Sequence, residues 1–273
     1  ISGMLSSLDP HSSYLNERAY SDLMTQTEGE YGGLGLTVTM EDDAVKVIAP
    51  TADTPADKAG IKAGDFITHL NGKLIYGGTL DEAVEQMRGE PGTDITLTIF
   101  RPGRDKPFDV TITRAIIDLE PVKWETKDDV GIITISSFTD GAGADVRAAM
   151  KAIDQKLGHK PLGYILDLRS NPGGLLDEAV NVSDDFLNDG EIVSQRGRRR
   201  ADTLKFFAKP GDAASGLPVI VLIDAGSASA SEIVAGALQD RHRALVMGER
   251  SFGKGSVQTI VPLTNDTGLR LTT

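Results

Sequence analysis

A serine set between small residues is the first candidate for chemistry in this sequence. Ser229 is the middle serine of Ser227–Ser231, a segment that follows the apolar run Val219–Ile223 and opens a predicted helix. A serine at such a strand-to-helix turn is exposed and lies in the positive field of the helix N-terminus, and the helix amides can stabilise an oxyanion. Serine also caps helices without doing chemistry, so this segment taken alone favours a cap.

Two further motifs favour catalysis. Asp167–Gly174 follows the neighbouring predicted strand, and its paired glycines, Gly173 and Gly174, can present backbone N–H groups at close approach, as an oxyanion hole requires. Phe252–Gly255 places Lys254 between two glycines, so that the lysine can enter a cleft without obstruction from its neighbours. Burial would lower the pKa of such a lysine, and its neutral amine could then act as a general base. The three motifs together favour a serine activated by a lysine.

The glycine-rich segment around Lys254 allows two other interpretations. Gly248–Lys254 nearly fits a phosphate-binding loop, but Gly255 stands where a hydroxyl residue should hold Mg²⁺, and the β-branched run that follows is typical of a strand. Ser251 and Lys254 also have the S-x-x-K spacing, which needs a helical turn that Gly253 and Gly255 disfavour. Both interpretations are therefore less favoured.

A Ser–His–Asp triad is the remaining arrangement. The chain has four histidines: His11, His69, His159 and His242. His69 falls inside the compact unit predicted below, His159 lies in a loop, and His242 lies at a polar helix end. A surface role is favoured for all four.

Composition excludes several classes of protein. The chain has 273 residues, no cysteine and a formal net charge of −12. The lack of cysteine rules out a cysteine nucleophile, disulfides and Cys-ligated zinc. An acidic surface argues against nucleic acids and anionic membranes as partners.

Hydrophobic periodicity predicts three parts. Residues 1–30 form an N-terminal segment that we expect to pack on the core, residues 31–115 form a compact unit of short strands with one amphipathic helix, and residues 116–273 form the core itself. In the last part strands alternate with helices, which predicts an α/β fold with a mixed or mostly parallel sheet. Active sites in such sheets lie in the turns that follow the strands.

The compact unit 31–115 resembles a bacterial PDZ domain. The resemblance rests on Ala59–Asp65, the Asn71-Gly72 turn and the helix that follows them. Its glycine-rich start could turn backbone N–H groups towards the carboxylate of a peptide, and a helix face could line the pocket for the last side chain. The predicted peptide-binding residues are Tyr31, Gly32, Gly33, Leu34, Gly35, Leu80 and Val84.

The catalytic motifs and the opening segment Leu8–Tyr14 closely resemble the carboxy-terminal processing proteases, also called tail-specific proteases, of peptidase family S41. The resemblance covers essentially the whole chain. It implies an α/β protease core of the ClpP/crotonase type, a mixed sheet with helices, into which a PDZ β-sandwich or barrel is inserted.

The resemblance also implies the roles of individual residues. Ser229 would be the nucleophile, Lys254 the base, and Gln258 the residue that orients the lysine, since a strand over this stretch would put Lys254 and Gln258 on one face. Glu232 would be a supporting polar residue. The backbone N–H of Ala230 would form the oxyanion hole with that of Gly173 or Gly174, and the sequence leaves the choice between the two glycines open.

The implied function is a serine endopeptidase that cleaves proteins near their C-terminal tails, with a PDZ domain that binds those tails and gates the activity. The mechanism requires no metal and no other cofactor. We expect protein or peptide substrates with apolar C-terminal tails, with a homo-oligomer or an adaptor protein as a further partnership, and a periplasmic or exported location. Because the chain opens on Ile1 and ends in a strand-like run, we expect truncation at both ends. A non-catalytic tail-binding protein and an inactive fragment stay open as alternatives.

Overall fold

The computed structural model describes residues 2–41, 44–75, 77–199 and 203–273. Two compact units make up the chain: Glu30–Leu119 is one, and Ile1–Gly29 together with Glu120–Thr273 is the other. The first unit is therefore an insertion in the second. It extends four residues past the predicted boundary at 115, because a strand at 115–118 pairs with a strand at its start.

The inserted unit contains eight strands and two helices among its described residues. They are β2 (Glu30–Gly33), β3 (Leu36–Glu41), β4 (Ala44–Pro50), α3 (Pro55–Lys58), β5 (Phe66–Leu70), β6 (Lys73–Leu74), α4 (Leu80–Met87), β7 (Asp94–Phe100), β8 (Phe108–Thr113) and β9 (Ala115–Asp118).

One antiparallel sheet, in the order β3-β4-β5-β7-β8, dominates the inserted unit. Alternation places Ile95, Leu97 and Ile99 of β7 in its core. Helix α4 begins at a capping box, in which the Thr79 hydroxyl accepts from the Glu82 amide and the Glu82 carboxylate accepts from the Thr79 amide. Strand β3 lies at one edge of the sheet, which leaves one side of it without a partner strand in this order.

The second unit supplies the remaining elements. They are α1 (Ser2–Ser6), β1 (Ser13–Leu15), α2 (Glu17–Glu28), β10 (Val122–Lys127), β11 (Val130–Ile135), α5 (Ala142–Leu157), β12 (Gly163–Asp167), α6 (Leu176–Asp184), β13 (Glu191–Gln195), β14 (Leu204–Phe207), β15 (Val219–Ile223), α7 (Ala230–Asp240), β16 (Leu245–Gly248), β17 (Gln258–Pro262) and β18 (Gly268–Thr272).

The central sheet of this unit is mixed, as expected. Its order is β10-β11-β12-β15-β16, with β10 antiparallel to β11 and the other neighbours parallel. Apolar side chains from β11, β12 and β15 pack with those of α5, α6 and α7 in one core that includes Ile133, Leu166 and Val221. Parallel strands end at the same edge of a sheet, so the turns after β12 and β15 are brought together.

A three-stranded sheet in the order β1-β18-β17 joins the two ends of the chain. Ser13 lies opposite Arg270, and Gln258 lies opposite Thr272. The Asp9 carboxylate strengthens the connection, because it accepts hydrogen bonds from Ser12 and from the Thr272 hydroxyl. The opening segment thus packs on the same unit as the predicted catalytic residues. None of the described helices is long and apolar enough to span a membrane.

Candidate active site

The predicted nucleophile lies in a strained turn. Ser229 is the residue before α7 and has φ 54° and ψ −111°, a conformation that residues with a side chain rarely adopt. Such strain persists only where the surrounding contacts impose it, and it is concentrated at functional sites. The serine lies at the start of the helix, as the sequence predicts, but its side chain is half-buried rather than exposed.

Asn171 holds this turn against the turn that follows β12. Its carbonyl oxygen accepts from the Ala228 amide at 3.0 Å and from the Ser231 hydroxyl at 2.9 Å. Its buried side chain donates to the Ile135 carbonyl at 2.8 Å and accepts from the Gly173 amide at 2.9 Å. One asparagine therefore fixes both sides of the candidate oxyanion hole, a role that sequence reasoning missed although Asn171 is part of a quoted motif.

Asp224 ties the same two turns together at a second point. Its carboxylate accepts from the amides of Ser170 and Gly226, at 2.8 and 2.9 Å, and from the Ser170 hydroxyl at 3.1 Å. The Ser170 amide is the main cause that lowers the Asp224 pKa, against the opposing effect of burial. A carboxylate that accepts several hydrogen bonds favours its charged form.

The geometry distinguishes the roles of the two candidate glycines of the oxyanion hole, Gly173 and Gly174. The Gly173 amide already donates to Asn171, whereas the amides of Gly174 and Ala230 donate to no acceptor within the described ranges. Gly173 instead provides the close approach: a Cβ built on it would lie 2.9 Å from the Ser229 Cβ and 3.1 Å from the Ala230 nitrogen. The arrangement therefore favours Ala230 and Gly174 as the donors, with Gly173 needed for space.

Glu232 contacts both of the predicted catalytic segments. One of its carboxylate oxygens accepts from the backbone amides of Ser229 and Lys254, each at 2.8 Å. The other accepts from the Ser251 hydroxyl and the Gly253 amide, each at 2.7 Å. Burial acts to raise the Glu232 pKa, but these four hydrogen bonds outweigh it and lower the pKa below its usual range. The carboxylate is therefore a charged clamp between the nucleophile turn and the loop that carries the lysine.

Lys254 has the electrostatic property expected of a base. Its side chain is half-buried, and burial lowers its pKa, with a further lowering from the charge of Arg270. Within the described residues no hydrogen bond joins the Ser229 hydroxyl to the Lys254 amine. Catalytic hydrogen bonds are often long before substrate binds, so this geometry does not exclude the pair.

The argument that put Gln258 on one strand face with Lys254 was wrong. Strand β17 begins at Gln258, and residues 251–257 belong to no helix or strand, so Lys254 lies in a loop. The Gln258 side chain donates to the Ser256 hydroxyl at 3.0 Å. A role for Gln258 in orienting the lysine stays a prediction.

The less favoured arrangements receive no support from the geometry. The loop around Lys254 leads into a strand rather than a helix, which removes the phosphate-binding loop and the S-x-x-K pair. His69 bonds to Thr68 inside the inserted unit, and His159 bonds to the Lys160 carbonyl on the surface. His11 and His242 are exposed.

Three of the predicted peptide-binding residues pack against the core of the inserted unit. Leu34 is buried, and Leu80 and Val84 are half-buried against the core of the unit. Gly35 has φ +75°, and a Cβ there would meet the Thr54 side chain, so the turn before β3 requires glycine.

Tyr31 and Gly32 have a different environment from the predicted one. Both lie in β2, opposite Ile117 and Ile116 of β9, and the Tyr31 ring lies 5.1 Å from the Arg88 guanidinium. Gly33 belongs to the same β2–β9 pairing, so the candidate cradle narrows to Leu34 and Gly35, next to the edge strand β3.

Comparisons with known proteins give the family of each unit. The model of peptidase family S41 matches residues 129–273, and the PDZ domain model matches residues 32–112. A carboxy-terminal-processing protease of Bartonella bacilliformis is 57% identical over 274 residues, which cover 100% of this chain and 63% of that protein. A carboxyl-terminal-processing protease of Synechocystis sp. is 37% identical, covering 100% of this chain and 64% of that protein.

A solved structure agrees with these matches. The photosystem II D1 C-terminal processing protease matches with a TM-score of 0.54 and 30% sequence identity, covering 99% of this chain and 74% of that one. The chain spans less than two thirds of the length of the two curated relatives. On the extent of the family match, this chain belongs to peptidase family S41 and contains a PDZ domain.

Proposed function

We propose that this chain is a serine endopeptidase that cleaves proteins near their C-terminal tails, with Ser229 as nucleophile and Lys254 as base. The observation that carries the proposal is the Glu232 carboxylate, which accepts from the amides of both residues at 2.8 Å. A single charged group thus fixes a strained serine and a lysine of lowered pKa in one place.

The proposed reaction proceeds through an acyl-enzyme. The Ser229 hydroxyl oxygen attacks the scissile carbonyl while the neutral Lys254 amine takes its proton. The negative oxygen of the tetrahedral intermediate is stabilised by the amides of Ala230 and Gly174. Lys254 then gives the proton to the leaving amine, and water hydrolyses the ester. In this scheme Gln258 orients the lysine.

The PDZ domain is proposed to bind the substrate's C-terminus and so to gate cleavage. An extended tail can add a strand at the free edge of β3, with its carboxylate at Leu34 and Gly35 and its last side chain near Leu80 and Val84. Apolar tails fit this pocket best, since its two helix residues are aliphatic. A periplasmic or exported location is part of the proposal.

The test compares three versions of one unfolded substrate protein: with an apolar tail, with that tail amidated, and with two aspartates in place of the last two residues. Intact mass spectrometry follows each over time. The proposal expects fast cleavage of the first and a loss of about tenfold or more for the other two, since the carboxylate and the apolar side chain both contribute to binding.

Two results would contradict parts of this proposal. Equal cleavage of all three substrates would agree with the peptidase activity but contradict the proposal that binding of the tail gates it. Tight binding of the apolar tail without cleavage of any substrate would favour the non-catalytic tail-binding protein, the alternative suggested by the absence of a Ser229–Lys254 hydrogen bond within the described residues.

A further inference from the structure

The two edges of the central sheet differ in the side chains that they carry. Strand β10 at one edge contains Lys123, Glu125 and Lys127, and charges of this kind discourage the addition of another strand. Strand β16 at the other edge, Leu245–Gly248, contains neither a charged residue nor a proline, and it pairs with β15 without a bulge. Among the described residues no strand pairs with its outer side. An edge that lacks these protections is a template for a further strand.

One face of β16 is apolar and exposed. Leu245 is 61% exposed and Met247 is 48% exposed. In the register of the sheet they lie beside Ile220 and Leu222 of β15, which are half-buried. Val246 points to the opposite face, where it packs against the core that β15 shares with the helices. Two rows of apolar side chains therefore run to this edge of the sheet and end in solvent.

The backbone of β16 presents hydrogen-bonding groups at the same edge. The Glu249 amide donates to the Ile223 carbonyl of β15 at 3.1 Å. Successive amides of a strand point to opposite sides, so the amides of Met247 and Leu245 also face β15. The N–H and C=O groups of Val246 therefore point away from β15, where a further strand can bond to them.

We propose that β16 pairs with β16 of a second copy of this chain, in an antiparallel register centred on Val246. In this register the two Val246 residues exchange both backbone hydrogen bonds across a two-fold axis. Leu245 of each copy then lies opposite Met247 of the other. These two pairs are of the type without hydrogen bonds, in which Cα atoms are about 4.5 Å apart and side chains contact closely. Each exposed apolar side chain is thus covered by one from the second copy.

The charges that flank β16 favour the antiparallel orientation. Arg243 precedes the strand and Glu249 follows it. An antiparallel pair brings these unlike charges together at both ends, whereas a parallel pair would bring like charges together. Because the Arg243 guanidinium already pairs with Asp212 at 3.0 Å, this effect sets the orientation more than the affinity.

The dimer is expected to be weak. Each copy contributes a strand of four residues, which is small for a specific interface. Two chains with a net charge of −12 also repel each other. We therefore expect a Kd on the order of 10 µM.

The first test is sedimentation equilibrium of the whole chain from about 1 µM to about 300 µM, a range that brackets this Kd. The parent should pass from monomer to dimer. Leu245→Lys should raise the Kd about tenfold or more, because both of the symmetry-related pairs lose an apolar contact. Met247→Lys repeats the measurement at the facing position. Leu204→Lys is the matched control: this leucine of β14 is 54% exposed, and its replacement should leave the Kd unchanged. A melting temperature for each variant confirms that it is folded.

The second test measures the register, and it uses the lack of cysteine in this sequence. Leu245→Cys and Met247→Cys are oxidised separately and as an equimolar mixture. Facing positions, with Cα atoms about 4.5 Å apart, suit a disulfide. Identical positions of the two copies are diagonal neighbours at about 7–8 Å, which is beyond the reach of a disulfide. The mixed disulfide should therefore form faster than either self-linked dimer.

Three outcomes would overturn the inference. The first is a parent chain that stays monomeric over the whole concentration range. The second is a dimer whose Kd is the same in Leu245→Lys as in Leu204→Lys, which would place the contact elsewhere. The third is self-linked dimers that form as fast as the mixed one, which would contradict the register. Since neither measurement depends on cleavage, a failure of the proposed peptidase activity would leave both results interpretable.

Discussion

The carboxylate of Glu232 accepts a hydrogen bond from the backbone amide of Lys254 at 2.8 Å, although 22 positions separate the two residues in the chain. The same oxygen accepts from the Ser229 amide. The relative position of the proposed nucleophile and the proposed base therefore depends on a side chain that takes no part in the proposed proton transfers.

Replacing Glu232 with glutamine should lower kcat by about 10²-fold, since displacements of about 1 Å at reacting groups have effects of this size. In glutamine an NH2 group replaces one carboxylate oxygen, and its nitrogen cannot accept the hydrogen bonds that this oxygen accepts now. The lysine loop therefore loses part of its anchor. The measurement is a steady-state comparison with Glu249→Gln, an exposed glutamate near the same loop. Equal activity of the two variants would show that the clamp has no functional role.

The pH dependence of cleavage should follow the protonation of Lys254. Burial, and then the charge of Arg270, lower the pKa of this lysine, and only the neutral amine can accept the serine proton. Activity should therefore rise with pH through that lowered pKa and fall away on the acid side. The measurement is kcat/KM across the pH range with a neutral peptide substrate, and a flat profile down to about pH 5 would be incompatible with a lysine base.

The same electrostatics predicts a separate effect on stability. A lysine whose pKa is lower in the folded state than in the unfolded state destabilises the fold when it is protonated. This cost in folding free energy is fully present at a pH below the folded-state pKa, and it disappears as the pH rises past the unfolded-state pKa. Lys254→Met should therefore lose activity and keep or raise its melting temperature at about pH 6. Lys209→Met, at an exposed position, is the control and should leave both unchanged. A clear fall in melting temperature for Lys254→Met alone would mean that the ammonium stabilises the fold.

Asn171 should matter for stability as well as for activity. In Asn171→Asp the side chain can no longer donate to the Ile135 carbonyl and places a charge at a fully buried position. Loss of the partner should cost about 1–3 kcal/mol in the free energy of unfolding, and the buried charge adds to this. Urea denaturation of this variant and of Asn265→Asp, an exposed turn position, measures the difference. Similar stabilities would show that the two turns are held together by other contacts.

Much of the secondary structure was predictable from local signals. The strands Asp94–Phe100 and Phe108–Thr113 alternate apolar and polar residues, which is typical of strands, and Thr79 is a residue type that commonly caps a helix such as α4. Strand β10 has no such signal, because charged residues such as Lys123, Glu125 and Lys127 interrupt its pattern at the sheet edge. Hydrophobic periodicity and helix caps are signals that neighbouring residues in the sequence carry, and an exposed edge strand such as β10 shows neither signal.

The candidate site was predictable in its residue types but not in its connections. Ser229 and Lys254 lie in motifs that a sequence displays directly, whereas the hydrogen bonds of Asn171 and Asp224 join turns more than 50 residues apart. The pairing of β1 with β18, which places Ser13 opposite Arg270, joins the two ends of the chain and has no local signal. The error over Gln258 has the same origin, since the start of β17 is set by its pairing with β18.

The most direct test of the central claim is cleavage of an unfolded protein with an apolar tail by the parent chain and by its Ser229→Ala and Lys254→Ala variants, followed by intact mass spectrometry. The proposal predicts products from the parent and none from either variant, while all three bind the tail equally well. Undiminished cleavage by the Ser229→Ala variant, with contaminating proteases excluded, would contradict the assignment of the nucleophile and with it the mechanism.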